Sequence, residues 1–271
     1  MGILTKLQET ILKQIDHHIL AALALGALFL SPSPSLAESG VLNFTTGVDY
    51  SSGKYGGPES TDILYIPFTG KYETDKWTLK LTVPYVTITG PGNVVKDIGQ
   101  TTPTAGTRTT QSGLGDVVAA ATYELYDNGA SGTRVDLTGK IKFGTADKDK
   151  GLGTGKDDYA FQADVYKAIN KSFTAFGAIG YKIAGKPADY TLNNVFYGSL
   201  GGSYKLSQET SAGLILDLRQ KSSATGTAQK ELTAFLSHKI SKDWKAQGYI
   251  VKGYTDSSPD WGAGIMMTHS F

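Results

Sequence analysis

The residues of this chain that could act on another molecule are charged side chains that alternate with apolar ones. Asp and Arg or Lys side chains of this kind bind ions and acidic solutes through charge-assisted hydrogen bonds. If they line a pore, they also set which ions pass. Ten residues have this pattern: Asp116, Glu124, Arg134, Asp136, Lys140, Lys142, Asp164, Asp217, Arg219 and Glu231.

Symmetric hairpins would place several of these charges opposite one another. Cross-strand pairs of opposite charge stabilise a sheet. Two interpretations stay open, because the pairs either neutralise one another and fill a narrow barrel or form a selective site. Symmetric pairing across the Asp127–Gly132 turn and the Ser222–Ala228 loop predicts the pairs Glu124–Arg134, Asp116–Lys142 and Arg219–Glu231.

Other kinds of chemistry have little support in the sequence. With no cysteine, thiol catalysis and cysteine-ligated metals are excluded. The Gly151–Asp158 segment departs from a phosphate-binding loop, since Lys150 occupies the first glycine position and Asp157 replaces the Ser or Thr that binds magnesium. We expect a flexible external loop there, with no metal site and no cofactor. The net charge of +1 gives no footprint for nucleic acid.

The elements that carry the charges are predicted to be long β-strands. About twelve segments of about ten to fourteen residues alternate with period two, as in the row of Leu42, Phe44, Val48 and Tyr50. A soluble sandwich alternates too, but its strands average about five or six residues. Tight turns and longer loops also alternate along the chain. This pattern predicts an all-β fold, a closed antiparallel transmembrane β-barrel of about 12 strands with short periplasmic turns and longer extracellular loops.

The first residues are typical of a secretory signal peptide. Ile19–Leu30 is an unbroken apolar run, too short to span a bilayer as a helix, and small residues precede Glu38. A buried or interfacial helix is the alternative. We expect cleavage after Ala37, so that residues 1–37 are the signal peptide and residues 38–271 form the barrel.

Aromatic residues fall where an interfacial girdle would need them. Trp77, Trp244 and Phe271 occur at the short-turn ends of the outward rows, and Trp261 occurs near a long-loop end. The alternative, an ordinary sandwich core, would place aromatic rings in mid-strand. We therefore expect the lipid bilayer to be a partner of this surface.

Two resemblances extend this interpretation. The terminal Phe271 after an alternating strand resembles the C-terminal assembly signal of bacterial outer-membrane barrels, which implies the bacterial outer membrane and recognition by the barrel-assembly machinery. The segments Ser112–Leu125 and Lys140–Val165 are similar to the outer-membrane transporters grouped as the "MetA-pathway of phenol degradation" family. That resemblance implies a transporter, in some members encoded near aromatic degradation. It transfers no substrate and no catalytic residue.

The function predicted from these observations is an outer-membrane channel or transporter for passive or facilitated passage of small solutes, with aromatic or acidic compounds as candidates. The loop Gly90–Ser112 is long enough to fold inward and narrow the mouth. A structural or adhesive barrel is one alternative. A lipase-type enzyme is another, but His238 lies at the short-turn side, the wrong end for a Ser–His–acid site. We therefore expect no enzyme.

Overall fold

The structure, a computed structural model, describes residues 40–102 and 106–271. The predicted signal peptide, residues 1–37, lies outside the described residues. Every regular element in the described part is a β-strand. No helix in these ranges is long and apolar enough to cross a membrane.

Fifteen strands are present in the described residues. They are β1 (Val41–Gly53), β2 (Thr61–Glu73), β3 (Trp77–Gly90), β4 (Val94–Val95), β5 (Gly99–Gln100), β6 (Thr109–Leu114), β7 (Val118–Asn128), β8 (Thr133–Lys142), β9 (Asp158–Ala168), β10 (Phe173–Ile183), β11 (Val195–Lys205), β12 (Thr210–Arg219), β13 (Gln229–Lys239), β14 (Trp244–Gly253) and β15 (Trp261–Ser270).

Thirteen of the strands form one closed antiparallel wall, and β4 and β5 form a separate hairpin. The wall closes because β1 pairs with both β2 and β15, and β2 continues through β3 to β7. β6 and β7 share one position, since β3 pairs with β7 along Trp77–Thr82 and with β6 along Tyr85–Gly90. The predicted 12-stranded barrel is confirmed. In the described ranges every wall strand except β6 has a partner on both sides, and β6 pairs with β3 alone.

The two faces of the wall differ as a membrane barrel requires. Apolar side chains on the outward face are strongly exposed, as for Leu200 (67%), Ile179 (65%) and Ile250 (64%). The alternate positions point inward and carry the polar and charged residues. Because none of the described residues forms a layer over the apolar face, hydrocarbon is the environment that suits it.

Long loops fold into one end of the barrel and bury apolar residues there. Ala146 and Leu152, from the loop after β8, pack against Ile63, Val86 and Ile88 of the wall. The prediction of a flexible external loop at Gly151–Asp158 is therefore wrong. Leu152 and Thr154 are both buried. Contact with Leu152 removes apolar surface of the wall from water, which stabilises this position of the loop.

Candidate functional site

The β4–β5 hairpin lies inside the barrel. Its turn is closed by the Ile98 N–H, which donates to the Val95 carbonyl at 3.1 Å. Gly99 has a φ of 89°, and a Cβ built there would lie 3.1 Å from Ser257. A side chain at Gly99 would thus be both strained and crowded, so glycine permits the close approach.

Contacts to the far wall hold this hairpin in place. Arg219 of β12 donates from Nη1 to the Asp97 carbonyl at 2.5 Å. Ser223 and Thr225 donate from their hydroxyls to the Gln100 carbonyl at 2.5 and 3.0 Å. Val95 and Ile98 pack with Ala184 and Leu192 of another loop. The long loop after β3 therefore crosses the lumen to β12, as its length suggested.

An ion pair occupies the hairpin tip. The Lys96 Nζ is 3.0 Å from an Asp97 oxygen and 4.4 Å from the centre of the Tyr65 ring. Lys96 lowers the pKa of Asp97 well below its usual range. Burial alone would lower the pKa of Lys96, but Asp97, Tyr65 and Asp49 together raise it. Both groups are consequently charged at neutral pH.

A cavity of about 390 Å³ lies beside the hairpin within the barrel. Its volume falls in the lower part of the range typical of small-molecule sites. Six cationic and three acidic side chains line it: Lys80, Lys96, Lys140, Lys142, Lys182 and Arg219, with Asp97, Asp116 and Asp158. The lining thus has an excess of positive charge.

The predicted pairing of Glu124 with Arg134 is wrong in register. Glu124 faces Asp136, two residues along β8 from Arg134, and the register also shifts by one residue between Glu124 and Tyr126. Arg134 nevertheless lies 3.3 Å from a Glu124 oxygen, and its Nε donates to Asp136 at 2.8 Å. One guanidinium therefore bridges two carboxylates, which a one-to-one pairing did not predict.

Asp116 and Lys142 are in contact, although not as a cross-strand pair. Asp116 lies in the break between β6 and β7, and the Lys142 Nζ donates to it at 2.7 Å. The Lys142 Nζ is also 3.6 Å from Asp158 of β9, and the Ala146 N–H donates to Asp116 at 2.9 Å. The Lys142 Nζ also donates to the Lys156 carbonyl at 3.0 Å, so Lys142 fastens the loop after β8 to the wall.

The predicted pairing of Arg219 with Glu231 is wrong. Arg219 faces Tyr197 and Gln229, whereas Glu231 faces Asp217. The observed register differs by two residues from the symmetric one. A shift of two residues keeps every side chain on the same face, so alternation cannot distinguish the two registers.

The other two predicted residues also face the lumen. Asp164 is directly opposite Asp136 and accepts a hydrogen bond from Gln162 at 2.7 Å. Lys140 lies between Ala120 and Ala160 on the neighbouring strands. In the described ranges, no carboxylate is within 4 Å of Lys140.

The sequence interpretation missed five charged residues of the cavity, one of which, Asp158, is the first residue of β9. Lys80 and Lys182 are on inward strand positions, where the same alternation rule would have found them. Lys96 and Asp97 are on the hairpin, where the sequence has no period-two pattern that would have predicted them as cavity residues. Only the folding of the loop into the lumen brings them to the site.

The predicted girdle residues all point outward at strand ends. Trp77, Trp244, Trp261 and Phe271 are between 44% and 51% exposed. All four rings contact a neighbouring aromatic ring, as for Trp77 with Tyr123, whose ring centres are 4.9 Å apart. Aromatic rings at these positions suit the boundary between hydrocarbon and water.

Comparison with protein families identifies the chain. The family described as "Putative MetA-pathway of phenol degradation" matches residues 60–271. The chain belongs to this family. The match begins just before β2, so among the wall strands it leaves out β1.

Solved structures share the fold of this family member at low sequence identity. An outer membrane channel from Pseudomonas putida F1 is 14% identical, with 89% of this chain and 100% of that chain covered and a TM-score of 0.61. The NanC porin is 11% identical, with 84% and 98% covered and a TM-score of 0.53. A search of curated proteins finds no match. The barrel therefore has the fold of bacterial outer-membrane channels.

Proposed function

We propose that the protein is a passive channel for small solutes in the bacterial outer membrane. The observation that carries the proposal is the hairpin inside the barrel, which Arg219 ties to the opposite wall beside a charged cavity. A wall of 12 strands is wider than the eight-stranded barrels that side chains fill. The inward loops then set the narrowest section, and the charges beside it set selectivity.

The arrangement of the histidines supports a channel over a lipase-type enzyme. In the described ranges, His238 bonds through Nδ1 to Thr210 at 2.9 Å. His269 lies between Trp244 and Phe271, with ring centres 4.6 and 4.4 Å away. Among the residues that the structure describes, no carboxylate is within 4 Å of either histidine. These surroundings suit an interfacial girdle.

The loop contacts also support a channel over an adhesive barrel. An adhesive barrel needs loops that project from the membrane to meet a partner. Here Leu152, Val95 and Ile98 are buried inside the mouth. The loops that carry them control the lumen and present little apolar surface outward.

Removal of the hairpin tests the channel. The Asn93 carbonyl accepts a hydrogen bond from the Thr101 N–H at 2.9 Å, so deletion of Val94–Gln100 joins two residues that are already adjacent. We expect the deletion to raise the single-channel conductance in planar bilayers severalfold, because the obstruction is gone. The matched control is a Lys148→Gln and Asp149→Asn variant at an exposed loop tip, which should conduct as the parent does.

Two results would overturn the proposal. One is a folded parent protein that gives no conductance in bilayers and no swelling of liposomes in sugars or amino acids. The other is a deletion variant with the parent's conductance, which would mean that the hairpin does not limit flow. Heat-modifiable migration on gels shows that each variant forms the barrel.

A further inference from the structure

The inward face of the barrel carries a row of lysines across six neighbouring wall positions. Each member of the row is the direct cross-strand partner of the next. Lysine occupies four positions and alanine the other two. In order from β2 to β10 the row is Lys71, Lys80, Ala120, Lys140, Ala160 and Lys182.

The row runs from one end of the lumen to the other. It follows the direction of the inter-strand hydrogen bonds, and the strands of such barrels tilt by about 35–45°. Lys71 is two residues from the short-turn end of β2, whereas Lys182 is one residue from the long-loop end of β10. Neighbouring strands are about 4.8 Å apart, so the row is about 24 Å long.

A second row, of acidic residues, lies four residues further along β7 to β10 and continues onto β11, β12 and β13. Four residues correspond to about 13 Å along a strand. Cross-strand partners place its members in the order Glu124, Asp136, Asp164, Ala178, Ser199, Asp217 and Glu231.

Protein groups partner much of the acidic row but not the middle of the lysine row. Arg134 contacts both Glu124 and Asp136, and Gln162 donates to Asp164. By contrast, neither Lys80 nor Lys140 has a carboxylate within 4 Å in the described ranges. Lys182 lies 4.0 Å from Asp158, and the other two carboxylates of the cavity pair with Lys96 and Lys142. The charge left free to meet a solute in the cavity is therefore positive.

The cavity beside the hairpin is lined both by the lysines and by other hydrogen-bond donors. Lys80, Lys140 and Lys182 line it together with Arg219 and Tyr197. Within the described residues the Tyr197 hydroxyl is a buried group without a hydrogen-bond partner. A buried donor without a partner costs free energy, so a bound acceptor would stabilise this arrangement.

We propose that Lys80, Lys140 and Lys182 form a binding track for small carboxylate anions, with the densest binding in the cavity at Arg219 and Tyr197. This proposal rests on the proposed channel function and names its substrate class. Lysine suits such a track because its flexible ammonium binds an anion as a point charge and releases it readily. Conduction requires several sites that are each weak enough to let the solute leave.

Ion selectivity is the first readout. We expect the parent channel to prefer chloride over potassium in a KCl gradient, and the Lys80→Gln and Lys140→Gln double variant to lose most of that preference. Lys242→Gln removes the same kind of charge from an exposed short turn and should leave the reversal potential unchanged. An equal shift in the Lys242 variant, or no shift in the double variant, would overturn the track.

Three ligands of similar shape test whether the site recognises the carboxylate group. Benzoate, benzamide and benzamidinium differ mainly in charge, from −1 through 0 to +1. Calorimetry on the detergent-solubilised protein should show binding of benzoate only, weakened about tenfold or more in the double variant. That loss corresponds to one hydrogen bond to a charged group. Equal binding of benzamide would overturn the proposal.

The two proposals fail in different ways. A channel that conducts but binds the three probes alike would retain the proposed function and lose the anion track. A protein that binds benzoate through Lys80 and Lys140 but never conducts would retain the site and lose the channel. Circular dichroism and heat-modifiable migration on gels show that the double variant has folded.

Discussion

Leu200 provides a direct test of where the membrane lies. It is the central residue of β11 and is 67% exposed on the outward face. Tyr204 has the same orientation four residues nearer the short-turn end. With a rise of about 3.3 Å per residue and a tilt of about 40°, the two differ by about 10 Å in depth. The apolar band is about 25 Å tall, so Leu200 lies near its middle and Tyr204 near its edge.

The depth difference sets the expected cost of a charge. Leu200→Arg should lower the free energy of unfolding by about 2–4 kcal/mol, and Tyr204→Arg by about 0–1 kcal/mol. Ser199→Arg is the inward control. Ser199 faces Asp217 across the sheet, so an arginine there meets water and a carboxylate and should cost less than Leu200→Arg.

Equilibrium unfolding in guanidinium, with the protein in lipid vesicles, measures these costs through tryptophan fluorescence. The reasoning is refuted if Leu200→Arg and Ser199→Arg destabilise the barrel equally. It is also refuted if the Tyr204 variant is as costly as the Leu200 variant, since the cost would then not depend on membrane depth.

Three further predictions concern the loops and the C-terminus. Arg219→Ala should release the hairpin and speed tryptic cleavage after Lys96 in detergent, and an unchanged rate would show that the bond from Arg219 does not hold the hairpin. Lys142→Gln should speed cleavage after Lys148, because the loop loses the hydrogen bond from Lys142 to the Lys156 carbonyl; equal protection would contradict that role. Deletion of Phe271 should lower the yield of assembled barrel in the outer membrane relative to Ser270→Ala, measured by heat-modifiable migration, and equal yields would remove the assembly role.

The fold class could be predicted from the sequence because it depends on local pattern. Alternation along β11 or β15 assigns each residue to a face without knowledge of its neighbours. Short turns such as the one before Phe173 close through nearby groups, since Asn170 accepts the Ser172 and Phe173 N–H groups at 2.9 Å. Strand length and outward aromatic residues then indicated the membrane.

Register could not be predicted in the same way. A shift of two residues leaves the faces unchanged, so the pairing of Arg219 with Glu231 looked as good as the actual pairing of Asp217 with Glu231. The register shift after Glu124 likewise cannot be detected from the alternation of apolar and polar residues. Such choices depend on how whole strands match around a closed barrel.

The sequence by itself determined that this chain alternates into long strands with an apolar face for lipid, because side-chain direction in a strand has period two. Only the tertiary structure decided which charges meet. Lys80, Lys140 and Lys182 are distant in the chain and come into one row through barrel closure. The hairpin at Lys96 reaches β12 because its apolar residues bury against another loop. Both results depend on contacts between residues far apart in the chain.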